Sequence, residues 1–228
     1  MPNVLILLRG DVYRSGRNAS SGANVDEQHA AFDTLKPMLV DPLHGYDVDV
    51  AINGTCVSEL VETTQNKLVG VFGSHIIMMR FHDPKDRAAI QAHSIINMFD
   101  DVKAILYNYD HVVMARLDLH YHLVPYPKVL PTESVLSICP HNTRNAANDL
   151  FFTCPKKLLP NFVDYMRMRP LRKTNKGKSM WELPMHMPVT FTADRPHGLN
   201  TEHHYNPYYH IVGRPRSMVP PPSFYSFV

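Results

Sequence analysis

The sequence predicts an α/β fold: a single domain with a mostly parallel central sheet and helices on both faces. Two observations carry this. Val4–Leu8 and Val112–Ala115 are short, continuous apolar runs bounded by polar residues, the pattern of strands buried on both faces. Between and after them lie stretches with apolar residues at helical spacing, so that strands and helices alternate through the first 120 residues.

The composition allows such a core. Of 228 residues, 44% are hydrophobic and 19% charged, which is ordinary for a globular chain. The net charge of +2 is too small to argue for nucleic acid or a membrane surface as partner. The 14 histidines are the one unusual count. Cys56, Cys139 and Cys154 are widely spaced, odd in number and form no CxxC, which suits reduced thiols rather than a disulfide framework or zinc knuckle. Val4–Leu8 is too short for a signal-peptide core, and no apolar stretch approaches the roughly 20 residues a membrane span needs. A cytoplasmic protein without a membrane span is expected. The sequons at Asn18 and Asn53 are read as chance in that compartment.

The first strand ends in Arg9-Gly10-Asp11-Val12-Tyr13-Arg14-Ser15-Gly16-Arg17. Arg9, Arg14 and Arg17 have the planar guanidinium suited to phosphate oxygens, but the loop is neither GxGxxG nor a P-loop. A basic surface loop remains the other reading. Phe32, Leu35 and Leu39 mark a helix over 25–39 that Pro37 should kink or end. Tyr46–Ile52 reads as a second strand stopped by Asn53-Gly54, with Asp47 and Asp49 at its start, solvated and away from any carboxyl-end cleft. A short helix is expected around 57–66 and a third apolar run over 68–79, interrupted by Gly73-Ser74-His75. Asp83-Pro84 should open a helix as N-cap and first residue, with Ala88, Ala92, Ile95, Phe99 and Val102 facing the core. Val135–Cys139 reads as a strand, Leu150-Phe151-Phe152 as an apolar segment, and Cys154-Pro155 as the entry to a helix packing through Leu158, Leu159, Phe162, Val163 and Met166. The basic stretch 167–178 reads as a solvated loop. Residues 1–214 are taken as the domain and the proline-rich 215–228 as a C-terminal tail.

The strand at 112–115 breaks into Arg116-Leu117-Asp118-Leu119-His120-Tyr121-His122. Ligands of open α/β sheets bind beyond the carboxyl ends of strands, so Asp118 and its histidine neighbours form a candidate metal or phosphate site. A surface turn with a solvated Asp is the alternative.

Three segments together resemble nucleotide-diphospho-sugar glycosyltransferases of the GT-A type, in particular small, divergent, viral or bacterial-like ones. They are the Arg9-Gly10 to Arg14 loop, the Tyr-Asp-x-Val-Val-x-x-Arg-x-Asp-Leu segment from Tyr109 to Leu119, and Asn148-Asp149-Leu150-Phe151-Phe152. The resemblance spans residues 4–155 and implies a GT-A-like (Rossmann-like) domain that moves a sugar from a nucleoside-diphosphate-sugar donor to a hydroxyl of a glycan or other acceptor. A viral protein in the host cytoplasm fits it. One departure matters: where such enzymes carry Asp-x-Asp, this chain has Arg116-Leu117-Asp118.

On that resemblance, Arg9, Gly10, Tyr13, Arg14 and Arg116 would bind the nucleotide-sugar, with Tyr13 a candidate to stack on the base and Arg116 either holding phosphate or merely neutralising the Asp118 carboxylate. Mn²⁺ or Mg²⁺ would assist departure of the diphosphate, held by Asp118 with His120, His197 or His210 completing the shell. Asp149 would activate the acceptor or grip sugar hydroxyls, or else merely cap the segment before Leu150. Two other classes stay open: a zinc hydrolase built on Asp118 and the histidines, and a non-catalytic nucleotide-sugar-binding module.

Overall fold

The computed structural model describes residues 1–13, 25–83, 91–121, 130–137, 151–168, 189–191 and 209–211. The 215–228 tail, the 167–178 loop beyond Met168, and Arg14, Arg17, His122, Asp149 and His197 lie outside them.

The strands are β1 (Asn3–Asp11), β2 (Asp47–Thr55), β3 (Ile76–His82), β4 (His111–Arg116), β5 (Leu119–Tyr121), β6 (Val135–Ser137), β7 (Phe151–Pro155), β8 (Val189–Phe191) and β9 (Tyr209–Ile211). The helices are α1 (Val25–Leu39), α2 (Val61–Phe72), α3 (Gln91–Asp101) and α4 (Leu159–Met168). Seven strands make one sheet in the order β3-β2-β1-β4-β7-β6-β8, and β5 pairs with β9 in a second, two-stranded sheet. β3, β2, β1 and β4 run parallel, while β7 is antiparallel to both β4 and β6. The fold is therefore α/β with a mixed, mostly parallel sheet.

Period-two alternation of the strand side chains divides the core into two layers. Val4, Ile6, Leu8, Val50 and Ile52 pack with Phe32 and Leu35 of α1 and Leu68 and Phe72 of α2. Leu5, Leu7, Ala51, Val112 and Met114 pack with Ile95 and Phe99 of α3 and Leu159 and Phe162 of α4. On that second face Phe99 meets Phe162 edge-on, with ring centroids 6.1 Å apart, a favoured aromatic geometry. Helices thus cover both faces.

Several element boundaries differ from expectation. Pro37 lies inside α1, which continues to Leu39. Being in the last turn, the proline removes a single helical bond, and the amides of Val40 and Asp41 close onto the Lys36 carbonyl just beyond. Asn53-Gly54 does not stop β2, which runs on to Thr55. The glycine is there for packing: a Cβ on Gly54 would lie 2.9 Å from Leu117 Cδ1 and from Phe81 Cε1, and 3.1 Å from the Gly10 carbonyl oxygen. The helix expected around 57–66 lies further on, as α2 over Val61–Phe72, and so takes in the start of the apolar run 68–79. Leu68–Phe72 ends α2, Gly73 adopts φ +56° as its C-cap, and β3 begins at Ile76. Asp47 and Asp49 sit at the amino end of β2, as expected; Asp47 is exposed and Asp49 accepts the Tyr109 hydroxyl at 2.7 Å. The α3 start at Asp83-Pro84 falls partly outside the described residues, which show the helix from Gln91.

Candidate functional site

β1 is followed through α1 by β2 on one side, while β4 lies on its other side. The chain order reverses between β1 and β4, and a crevice at the carboxyl ends of such a pair is where open α/β sheets bind ligands. Parallel register sets one row across four strands there: Arg116 of β4, Arg9 of β1, Asn53 of β2 and Arg80 of β3. By the alternation of the strands this row shares the face covered by α3 and α4.

Each end of the row meets a carboxylate. At the β3 end, the Arg80 Nη1 donates to Asp101 Oδ1 at 2.6 Å and the Asn53 amide donates to Asp101 Oδ2. Asp101 closes α3, so this contact ties the helix end to the sheet. At the β4 end, Arg116 Nε donates to Asp118 Oδ1 at 2.7 Å and Nη2 donates to Oδ2. The Arg116 and Asp118 side chains are 5% and 0% exposed, and Arg9 is buried as well. Such a pair gains geometric strength from its bidentate form and has to offset the cost of taking both charges out of water.

Gly10 follows Arg9 with φ +117°, a conformation open to glycine and strained for other residues. A Cβ there would lie 3.7 Å from Asp118 Oδ1 and 3.9 Å from Arg116 Cβ, so a side chain at this position would come into contact with the ion pair. Tyr121 of β5 completes the cluster. Burial is the main cause that raises its phenol pKa; the Asp118 charge raises it further, and Arg116 and Arg9 pull it down. It stays protonated near neutral pH.

Tyr13 has φ +55°, the positive value found among non-glycine residues of the described chain. Its ring is buried within the α1/α2 layer rather than presented as a platform for a base. The hydroxyl lies 2.9 Å from Thr64 Oγ1 and 3.1 Å from His29 Nε2. Burial raises its pKa, with Cys56 adding and the Thr64 hydrogen bond opposing.

Gln28 links these parts and was not singled out by the sequence. It is fully buried on α1. Its Oε1 accepts the Tyr13 backbone N–H at 3.1 Å, and its Nε2 donates to the Leu117 carbonyl at 2.8 Å. The start of the loop after β1 is thereby fastened to the residue between Arg116 and Asp118. Gln28 stands four residues before Phe32 and seven before Leu35, so it occupies a core position of the helical pattern. A polar residue on an apolar face was the available signal.

Of the residues expected to form the site, Arg9, Gly10, Arg116 and Asp118 are together. His120 lies two residues past Asp118 in β5, half-buried, and is the direct register partner of His210 in β9. Arg14, Asp149 and His197 lie outside the described residues. Among the described residues no three His, Cys, Asp or Glu side chains converge in a way that would hold a metal ion. The Asp118 carboxylate turns both oxygens to a guanidinium. The described residues therefore do not fit a divalent cation as they stand.

No protein-family model matches the chain, and no curated protein matches it. Among the described residues no helix is long and apolar enough to cross a membrane.

Proposed function

We propose that this protein is a glycosyltransferase of GT-A type, transferring a sugar from a nucleoside-diphosphate-sugar to an acceptor hydroxyl such as that of a glycan. The observation that carries the reading is the adjacency of Arg9 and Arg116 at the carboxyl ends of β1 and β4, the two strands between which the chain order reverses. Guanidiniums at a switch point are suited to a diphosphate. Departure of the nucleoside diphosphate builds negative charge on its oxygens, and fixed donors aimed at that charge lower the barrier. Sugar transfer also needs a base or a polar grip on the acceptor hydroxyl, the role assigned above to Asp149.

The test is a thermal-shift screen of the full chain against common nucleoside diphosphates and nucleotide-sugars, with and without Mn²⁺. A ligand that binds only the native state raises its stability by mass action. One base should stand out, and its sugar conjugate should then be turned over. No shift with any nucleotide in either condition would sink the reading. If binding occurs but neither transfer nor donor hydrolysis follows with any metal, a nucleotide-sugar-binding module replaces the enzyme.

A second reading, a zinc hydrolase, draws on the direct pairing of His120 with His210 two residues past Asp118. It predicts about one zinc per purified chain and no response to nucleotides.

A further inference from the structure

We propose that Tyr13 is a strained latch at the point where the chain leaves β1, with a second, open state that leaves the sheet intact. This inference goes beyond the transferase reading and does not depend on it.

The backbone is the first support. Tyr13 has φ +55°, a left-handed conformation that crowds the Cβ of an L-residue and is an outlier for a bulky side chain. Such a conformation persists only where the surroundings over-determine it. Here they do so from three directions. The Tyr13 amide donates to Gln28 Oε1 at 3.1 Å. The ring is buried in the layer formed by α1 and α2. The hydroxyl lies 2.9 Å from Thr64 Oγ1 on α2 and 3.1 Å from His29 Nε2 on α1.

A count of protons is the second support. Thr64 Oγ1 also lies 2.7 Å from the Leu60 carbonyl oxygen and 3.5 Å from Cys56 Sγ. Its single proton cannot serve Leu60 and Tyr13 together. When Thr64 donates to Tyr13, the Tyr13 proton goes to His29 Nε2 and the Leu60 carbonyl loses the Thr64 proton. When Thr64 donates to Leu60, Tyr13 donates to Thr64 and accepts from His29 Nε2. The hydroxyl end of the latch is therefore held by bonds that compete with one another, while the strained backbone pulls against them.

The position in the fold is the third support. The Val12 N–H donates to the Thr55 carbonyl at 2.9 Å, so the link between β1 and β2 reaches the residue just before Tyr13. Breaking the Tyr13 contacts leaves that link whole, and such an opening is local, below the cost of global unfolding. It occurs at the carboxyl end of β1, the end at which open α/β sheets take up ligands. Opening also releases one end of the Gln28 bridge, whose other end is the Leu117 carbonyl between Arg116 and Asp118. The latch is thereby joined to the ion pair at the β4 end.

The experiment is native-state amide hydrogen exchange of the full chain, followed by NMR at several sub-denaturing urea concentrations. The wild-type Tyr13 amide should exchange about tenfold or more faster than the amides of Val12 and the fully buried Leu7. Its rate should depend only weakly on urea, the mark of a local opening. Thr64→Val keeps the shape and removes the hydroxyl, and should speed Tyr13 exchange by about a further fivefold or more while leaving the ratio of Val12 to Leu7 unchanged. Tyr13→Gly and Tyr13→Ala both lose the ring, so their difference reports the backbone. At a positive φ the glycine variant should have the larger folded-to-unfolded ratio, by about threefold or more. A wild-type Tyr13 amide that follows Leu7 in rate and urea dependence would overturn the open state. A Thr64→Val rate equal to wild type, or an alanine variant at least as stable as the glycine one, would equally overturn the latch. Should neither ring-less variant fold, the exchange measurements decide alone.

Discussion

Replacing Gln28 by Met removes the amide from the interior while keeping its length and approximate shape. The consequence can be worked from two contacts. The Tyr13 N–H loses its acceptor at 3.1 Å and the Leu117 carbonyl loses a donor at 2.8 Å. Leu117 is fully buried and Tyr13 nearly so. A buried backbone group deprived of its partner costs about 1–3 kcal/mol, and the methionine regains part of this through apolar burial. A net loss of about 3 kcal/mol is expected, a large share of the 5–15 kcal/mol typical of a folded domain. For a chain of this size that corresponds to a fall in Tm of about 6–12 °C. Urea unfolding of Gln28→Met beside the exposed-site control Glu62→Ala measures it. Gln28→Glu adds a second arm. Its neutral form can accept from Tyr13 and donate to Leu117 as the amide does, whereas its carboxylate cannot donate. Its folded pKa is therefore raised, and the variant should approach wild-type stability below about pH 4.3 and lose ground as pH rises. A Gln28→Met variant within about 0.5 kcal/mol of wild type, or a Gln28→Glu deficit flat with pH, would refute the reasoning.

Other outcomes follow from the same contacts. Gly54→Ala should cost about 1–3 kcal/mol, because the added methyl meets Leu117, Phe81 and the Gly10 carbonyl; a shift in the denaturant midpoint reads this, and an unchanged midpoint would contradict the packing. Burial lowers the His111 pKa from its ordinary 6.5, opposed by the Pro131 carbonyl and Asp110. The fold thus holds a neutral imidazole: its stability is full above about pH 6.5 and declines as pH falls, by at most about 1.4 kcal/mol per pH unit. His111→Gln should show a shallower acid decline than wild type in unfolding measured over that range, and equal slopes would exclude the role. Burial also raises the Cys154 thiol pKa far above its ordinary value, so Cys154 should resist alkylation in the native protein and react on unfolding, as peptide mapping by mass spectrometry would show.

What was legible in the sequence follows from range. Val112–Ala115 and Val4–Leu8 announced themselves because a strand buried on both faces needs apolar residues at every position, and both are buried in β4 and β1. The apolar faces of α3 and α4 were equally plain: Ile95, Phe99, Phe162 and Val163 lie where their spacing put them. The boundary at Asn53-Gly54 was misread because these residues usually mark turns, whereas here Gly54 answers to Leu117, sixty-three residues later in the chain. No local pattern reports such a neighbour. The site divides in the same way. Arg9 and Arg116 could each be suspected from strand-end position, but their adjacency comes from the register of β1 on β4. That Asp118 faces Arg116 depended on whether the strand geometry persisted beyond β4, which alternation permits but does not impose. Neither Asn53 nor Arg80 was suspected as part of this row, because their shared partner, Asp101, belongs to another element.

The position of β1 between β2 and β4 has a consequence for synthesis. Val4 pairs with Val48 on one side and with His111 on the other. At about 5–20 residues per second, the first edge of β1 is covered within about 2–10 s of its emergence, while the second waits for about 5–20 s. Through that interval the nascent chain carries Leu5, Ile6 and Leu7 on a strand with one side open, a template for association with other chains. The stretch between β2 and β4 therefore acts as a timer, and slowing translation within it should raise the yield of aggregated chains without altering the finished fold.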